Sequence, residues 1–393
     1  MKRKNYIFTA LALYFTYFIH GIGVSILAQY KMEVAASWGT SDISLVLQVI
    51  AALGLGRLIS LPIAGPFSDR FGRRITGMIG ILLYVVYFIG IPYSNTMMVA
   101  YIVAILGGCA NSFLDTSVIP SILEIFVGKG AVANMFTKFS MSIGQLLLPL
   151  GIALVASMSL SYTTLFYLAG ILIGVDALLI WLLPFPEMNA EVKAEDNVER
   201  KITITPSSLA LIAIGFTCTA TFQLWLNCYQ ELATQYGVAD PAKIQSLYAL
   251  GTMCAVLFTA FVVLKKWRAS QVLIAYPAIC AVTLLLVYLI QTPWMITVAG
   301  FVIGYAGAGG VLQLATATAN ELFPTNKGKI TSIVMIASSI ANYVVLSLAG
   351  FITQGTGIHG PRNVVLFNLA ITIIGVALAT YVNKKLNEKK HFA

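Results

Sequence analysis

Long apolar runs alternate with short polar connections along nearly the whole chain of 393 residues. A membrane-crossing helix needs about 20 mostly apolar residues. Twelve stretches meet that requirement, at 6–29, 43–64, 75–92, 97–124, 132–156, 162–184, 207–230, 244–264, 271–290, 294–322, 329–353 and 363–382. None alternates apolar and polar residues as a barrel strand does. The pattern predicts an all-α membrane protein with twelve transmembrane helices and the lipid bilayer as its surroundings. One longer hydrophilic break, residues 185–206, carries Glu187, Glu191, Glu195, Asp196 and Glu199 with three basic residues. It divides the chain into an N-terminal six-helix bundle, 1–184, and a C-terminal one, 207–393, joined by a cytoplasmic linker that reads as a solvated tether.

Composition agrees: 59% of the residues are apolar and 10% are charged, a balance no soluble domain of this length sustains. The net charge of +9 would suggest a nucleic-acid partner, but its distribution removes that reading. With the N-terminus inside, the inside connections hold twenty Lys and Arg, the outside ones hold Lys31, Lys243 and Arg362, and Arg57 is left within a span. Basic residues stay on the cytoplasmic side, so both termini are expected there, in the inner (plasma) membrane of a bacterial cell. The opening Met1-Lys2-Arg3-Lys4 resembles a signal peptide, but the run that follows is too long and lacks a clean cleavage site, so it is read as a retained first span. The five cysteines (Cys109, Cys218, Cys228, Cys254 and Cys280) all lie in apolar runs and are expected to be small buried residues. No metal-ligand cluster, nucleophile–base pair or ATP-binding loop is present, which argues against an enzyme and against any metal or cofactor, and points to an ion gradient as the energy source.

Charged and strongly polar groups inside a bilayer are expensive, so each is a functional candidate. Arg57 in span two and Asp115 in span four fall at similar depth and are expected to form an ion pair. Asp115 is the candidate proton carrier, because burial and a neighbouring arginine pull its proton affinity in opposite directions. Arg57 is the candidate anion contact. His20 in span one, followed by Gly21 and Gly23, is a second candidate for proton coupling, since imidazole titrates near neutral pH. Asn111 and Asp115 are four residues apart and share a helix face, as do Gln223 and Asn227 in span seven. Gln145, Gln313 and Asn342 complete the polar substrate-binding candidates. Trp225 and Tyr229 read as residues of the outer interface or as a stacking wall, and Gly304, Gly307, Gly309 and Gly310 mark a bendable part of span ten. Asp176 in span six reads as a satisfied structural carboxylate.

The loop between spans two and three reads Gly65-Pro66-Phe67-Ser68-Asp69-Arg70-Phe71-Gly72-Arg73-Arg74, with two glycines for a tight reversal. Its spacing, G-x-x-x-D-R-x-G-R-R, resembles the equivalent loop of the major facilitator superfamily of secondary transporters. The halves also echo each other: Glu124-Ile125-Phe126 precedes Lys129-Gly130, and Glu321-Leu322-Phe323 precedes Lys327-Gly328. The resemblance implies two pseudo-symmetric six-helix bundles around a central cavity lined by spans one, four, seven and ten. It also implies a cytoplasmic gate made of Asp69, Arg70, Arg73, Arg74, Glu124 and Glu321. Span four lacks the arginine, and span five the adjacent Gly-Pro, that drug–proton antiporters of the superfamily carry, whereas Leu114-Asp115-Thr116 resembles part of span four in its proton–sugar symporters.

The expected function is a monomeric secondary active transporter that imports a small polar organic solute, a carboxylate or a sugar derivative, with protons by alternating access. The alternative is a proton-driven multidrug or metabolite exporter that uses the aromatic walls.

Overall fold

The structure, a computed structural model, describes residues 6–126, 130–186, 205–322 and 327–391. Most of the linker expected at 185–206 falls outside these residues. Among the described residues there is no strand. The chain divides into two compact units, Met1–Ala190 and Glu191–Ala393.

The first unit contains α1 (Ile7–Gln29), a short α2 (Lys31–Ser37), α3 (Ile43–Phe71), α4 (Arg73–Tyr93), α5 (Met97–Ile125), α6 (Gly130–Ser157) and α7 (Thr163–Leu182). Helix starts follow ordinary capping chemistry: Asp42 accepts from the Ser44 amide at α3, and Thr96 from the Val99 amide at α5. α3 and α4 both pack on α5, and α1 packs on α6 and α7. Gly56 and Gly108 let α3 and α5 meet backbone to backbone, since a Cβ at either would overlap the main chain of the other helix. Gly21 and Gly144 do the same between α1 and α6. Without a hydrophobic drive between helices in lipid, such close packing supplies the cohesion.

The second unit contains α8 (Pro206–Gln235), α9 (Lys243–Phe261), α10 (Ala269–Leu289), α11 (Pro293–Ile303), α12 (Val311–Leu322), α13 (Lys327–Thr356) and α14 (Gly360–His391). α8 packs on α13 and α14, and α9 on α11. The internal repeat recurs at the level of packing. Gly251 and Gly304 bring spans eight and ten together as Gly56 and Gly108 do for spans two and four, and Gly215 meets Val334 of span eleven as Gly21 meets Met141 of span five. In both units large apolar side chains such as Leu150, Leu154, Ile171, Leu182, Val282 and Leu289 are exposed, as lipid-facing residues are.

Three local expectations are corrected. Span two does not end at residue 64: α3 continues through Pro62 and Pro66 to Phe71. The reversal is made by Gly72 alone, at φ 94°, and Gly65 is helical. A membrane helix tolerates proline, and the last turn of this one is tied to α5, where Ser68 donates to the Thr116 carbonyl at 2.8 Å. Span ten is interrupted by a π-helical turn, Gly304–Ala308, and by Gly310 at φ 100°, which gives its glycine run a definite geometry. Cys254 is exposed and Cys109 half-buried rather than buried, while Cys218, Cys228 and Cys280 are buried as expected.

Candidate functional site

The polar centre of the first unit is built where α1, α3, α5 and α6 converge. The small residues Gly56 and Gly108 bring the α3 backbone onto α5, and Ser112 Oγ donates to the Arg57 carbonyl at 3.0 Å. One turn further along α5, Asp115 receives the Arg57 guanidinium: Nη2 lies 2.8 Å from Oδ2. The other carboxylate oxygen accepts from the Tyr17 hydroxyl of α1 at 2.6 Å. Arg57 and Asp115 retain 20% and 16% side-chain exposure, so the pair is sheltered yet reachable.

Around this pair stand further titratable groups. His20, one turn after Tyr17, is buried, and its Nδ1 is 2.9 Å from the Tyr84 hydroxyl. Its ring lies between those of Tyr17 and Tyr84, with centroids 5.4 and 5.6 Å away. Lys138 of α6 lies within Coulombic range of Arg57, Asp115 and His20, with Nζ 3.7 Å from the Met141 sulfur. Asn111 is buried, and its Oδ1 finds no hydrogen-bond partner among the described residues. Gln145 is buried and donates to Ser25 of α1 at 3.1 Å.

Tyr17, Tyr84 and Lys138 are absent from the sequence-derived set. A tyrosine in an apolar span reads as packing or interface, so nothing marked Tyr17 or Tyr84. Lys138 had a visible signal: it falls inside the run expected at 132–156, but its charge was assigned to the inside connection.

At the basic end of the same unit, Arg73 holds Asp69 at 2.7 Å and Ser68 Oγ at 2.8 Å through Nη1, and faces Glu124 at 3.6 Å through Nε. Ser117 Oγ donates to the Arg73 carbonyl at 2.6 Å. The structure thus gathers three of the six proposed gate residues. Arg70 instead stacks over Phe71, and Arg74 donates to the Leu183 carbonyl at the end of α7 and stacks over Phe185. The side chain of Glu321 lies outside the described residues.

In the second unit Asn227 is buried and donates to the Gln223 carbonyl and side-chain oxygens at 2.9 and 3.1 Å, joining the two candidates on one face of α8. Trp225 and Tyr229 are buried and stacked with centroids 6.2 Å apart, which places them in the core of this unit rather than at an interface. Asn368, not singled out from sequence, is buried and donates to the Thr221 carbonyl at 3.0 Å, beside a 2.8 Å contact between Thr221 and Thr372. Gln313 is exposed and Asn342 half-buried. Asp176 is fully buried and meets Thr16 Oγ1 at 2.5 Å, while its second oxygen has no partner among the described residues. It is therefore held by one hydroxyl, less completely than expected.

The family model described as Major Facilitator Superfamily matches residues 10–264 and 231–392. The chain belongs to the major facilitator superfamily. It is 32% identical over 395 residues to "Inner membrane transport protein YdiM" of Escherichia coli (strain K12), covering 98% of this chain and 96% of the relative. It is also 32% identical to "Uncharacterized MFS-type transporter YfkL" of Bacillus subtilis (strain 168), covering 95% of both chains. Among solved structures, a D-xylose–proton symporter aligns over 96% of this chain and 97% of its own with a TM-score of 0.76 at 15% identity. A POT family transporter, PepTSo, aligns over 96% and 98% with a TM-score of 0.70 at 14% identity. At these identities the solved structures establish the fold alone. This superfamily member is a multi-pass membrane transporter and not an enzyme.

Proposed function

We propose that this transporter imports a small polar organic solute together with a proton, by alternating access, with Asp115 as the proton carrier. The observation that carries the reading is the sharing of Asp115 between Arg57 at 2.8 Å and Tyr17 at 2.6 Å in the membrane-spanning part of the first unit. A charge left alone in a low-dielectric site is costly, and a well-bonded pair offsets that cost. In the empty carrier Arg57 is the counter-ion of Asp115. A solute that engages Arg57 deprives Asp115 of its counter-ion, and the acid then takes a proton. Release of the solute restores the pair and expels the proton. Asn111, Gln145, Gln223, Asn227, Gln313 and Asn342 are the proposed polar contacts to the solute. His20 modulates the site through its ring contact with Tyr17.

The Asp69–Arg73–Glu124 cluster is the proposed latch: bonds made in one state and broken in the other bias a two-state equilibrium. With Lys138 placed inside a span, nineteen basic residues on one set of connections against three on the other support cytoplasmic placement of this latch and of both termini. The inner-membrane name of the Escherichia coli relative supports that location. Residues 185–206 are the tether between the halves 1–184 and 207–393, and the working unit is a monomer.

The test is proton flux in proteoliposomes carrying an internal pH dye, with pools of sugars, organic acids and cationic dyes added outside. Acidification of the lumen with a sugar or acid pool supports import. Proton release from an acid-loaded lumen on addition of dyes would replace import with export.

A further inference from the structure

Tyr84 is held in one place by the packing of α4 on α1. Gly23 leaves a notch in α1 that the Tyr84 ring fills, since a Cβ there would lie 2.5 Å from its Cε1. Phe88 packs against the same ring with centroids 5.3 Å apart, and Tyr87 ties the two helices again by donating to the Gly23 carbonyl at 3.1 Å. Tyr84 is 1% exposed, and its hydroxyl meets His20 Nδ1 at 2.9 Å. That hydroxyl has no other partner among the described residues. Counting protons decides which imidazole such a bond accepts. A phenol keeps its proton at neutral pH. If Nδ1 carried a hydrogen, the phenol oxygen would accept it, and the phenol's own proton would be buried without an acceptor. If Nδ1 is bare, the phenol donates to it and both groups are satisfied. A doubly protonated ring fails the same count and adds a charge to a low-dielectric site. The bond selects the neutral ring with its hydrogen on Nε2.

We infer that His20 is a fixed hydrogen-bond donor to the transported solute through Nε2–H, and that Tyr84 is the positioning residue that sets its tautomer. This inference rests on the reading of this polar centre as the solute site. Nε2 has no partner among the described residues, and His20 keeps 6% exposure. Tyr17 links the donor to the Arg57–Asp115 pair: its ring lies 5.4 Å from that of His20, and its hydroxyl bonds Asp115. A second donor of the same centre is also unanswered, because Arg57 Nε is buried without an acceptor among the described residues. Buried donors without acceptors are costly. A solute oxygen, whether hydroxyl, carbonyl or carboxylate, satisfies them, whereas an organic cation without oxygen brings no acceptor. The class of solute is therefore a neutral or anionic oxygen-bearing molecule. The neutral tautomer also takes His20 out of the proton traffic and leaves Asp115 as the acid of this centre.

The experiment uses the full-length transporter in detergent, with isotope-labelled histidine read by nitrogen NMR. The chain has three histidines, and the resonances missing from His20→Gln identify His20. The parent protein is expected to show a bare Nδ1 and a protonated Nε2 at neutral pH, and Tyr84→Phe a mixture of tautomers. A hydrogen on Nδ1 or a doubly protonated ring in the parent would overturn the assignment. Three probes read the solute contact: D-glucose, D-gluconate and tetraphenylphosphonium, the last a cation without oxygen. At least one of the first two is expected to stabilise the protein against heat and to shift the Nε2 resonance, and tetraphenylphosphonium to do neither. The side-chain amide nitrogen of His20→Gln takes the place of Nε2, and that of His20→Asn the place of Nδ1. Binding of the active probe is expected to persist in His20→Gln and to weaken by roughly tenfold or more in His20→Asn. Tyr84→Phe is expected to fall between them, because part of its population keeps the right tautomer. Equal binding in the two His20 variants, an Nε2 resonance unmoved by a bound probe, binding of tetraphenylphosphonium, or binding of none of the three would overturn the donor role. A probe that binds through His20 and enters proteoliposomes without moving protons would uphold the donor role and overturn the proton coupling proposed for Asp115.

Discussion

Tyr17 and Arg57 approach Asp115 from different helices and take one carboxylate oxygen each, at 2.6 and 2.8 Å. The acid is thereby tied at once to α1 and α3 from its place on α5. A change in its protonation alters two helix contacts together, which gives a local proton event a mechanical readout.

Arg57→Ala removes the counter-ion and leaves a sheltered carboxylate. Breaking a buried pair in this way costs about 3–5 kcal/mol, and the remaining exposure of both groups places this site at the lower end. Denaturation in detergent is expected to show the single variants Arg57→Ala and Asp115→Ala each less stable than the double variant would imply by addition. Additive losses would mean that the two side chains do not stabilise each other.

Asp69→Asn weakens a latch centred on Arg73 without disturbing its helix, because Ser68, Ser117 and Glu124 still hold Arg73. Membrane abundance is expected to be unchanged and substrate uptake to fall by roughly tenfold, on the scale of a lost charge-assisted bond. Turnover equal to the parent protein would remove Asp69 from the latch.

Gly108→Ala places a methyl group against the Leu53 carbonyl and the Arg57 amide. The α3–α5 interface must open, at about 1–3 kcal/mol for overpacking, and Arg57 shifts with it. Both the unfolding temperature and uptake are expected to drop. Gly65→Ala, whose Cβ meets nothing within 4 Å, is expected to leave both unchanged.

Asp176 offers a contrast with Asp115. The Thr16 hydroxyl has a single proton and lies 3.1 Å from the Ala12 carbonyl and 2.5 Å from Asp176. Asp176→Asn keeps a side-chain oxygen that can accept from Thr16 and is expected to preserve transport, whereas Asp176→Leu removes the bond and is expected to lower stability by about 1–3 kcal/mol. Uptake at background in Asp176→Asn, with the protein folded, would move this acid into the transport machinery.

The spans were legible because the bilayer demands a length of apolar chain that little else in a sequence imitates. Their observed ends mostly fall within a few residues of those expected, and the charge pattern exposed both Arg57 and Asp115. The continuation of α3 to Phe71 was hidden because Pro62, Gly65 and Pro66 are breakers by local rules, and only the packing of α5 against that segment overrides them. Tyr17 and Tyr84 were hidden for a different reason. An aromatic residue in an apolar span carries no sign of where its hydroxyl points until a neighbouring helix supplies the acid or the imidazole. Lys138 was misassigned rather than hidden: a lysine near a helix end satisfies the topology rule equally well whether it faces the aqueous boundary or the polar centre. The pairing of Trp225 with Tyr229 likewise follows from burial in the second unit, which spacing alone does not reveal.

The role proposed for Asp115 as carrier of the coupled proton is tested by comparing the parent transporter with Asp115→Asn in proteoliposomes. Net uptake with internal pH and counterflow exchange are followed for the same solute. The variant is expected to lose lumen acidification and pH-driven accumulation yet still to exchange external for internal solute. Acidification that persists in the variant would contradict that role, and equal loss of net uptake and exchange would make Asp115 a binding or structural acid instead.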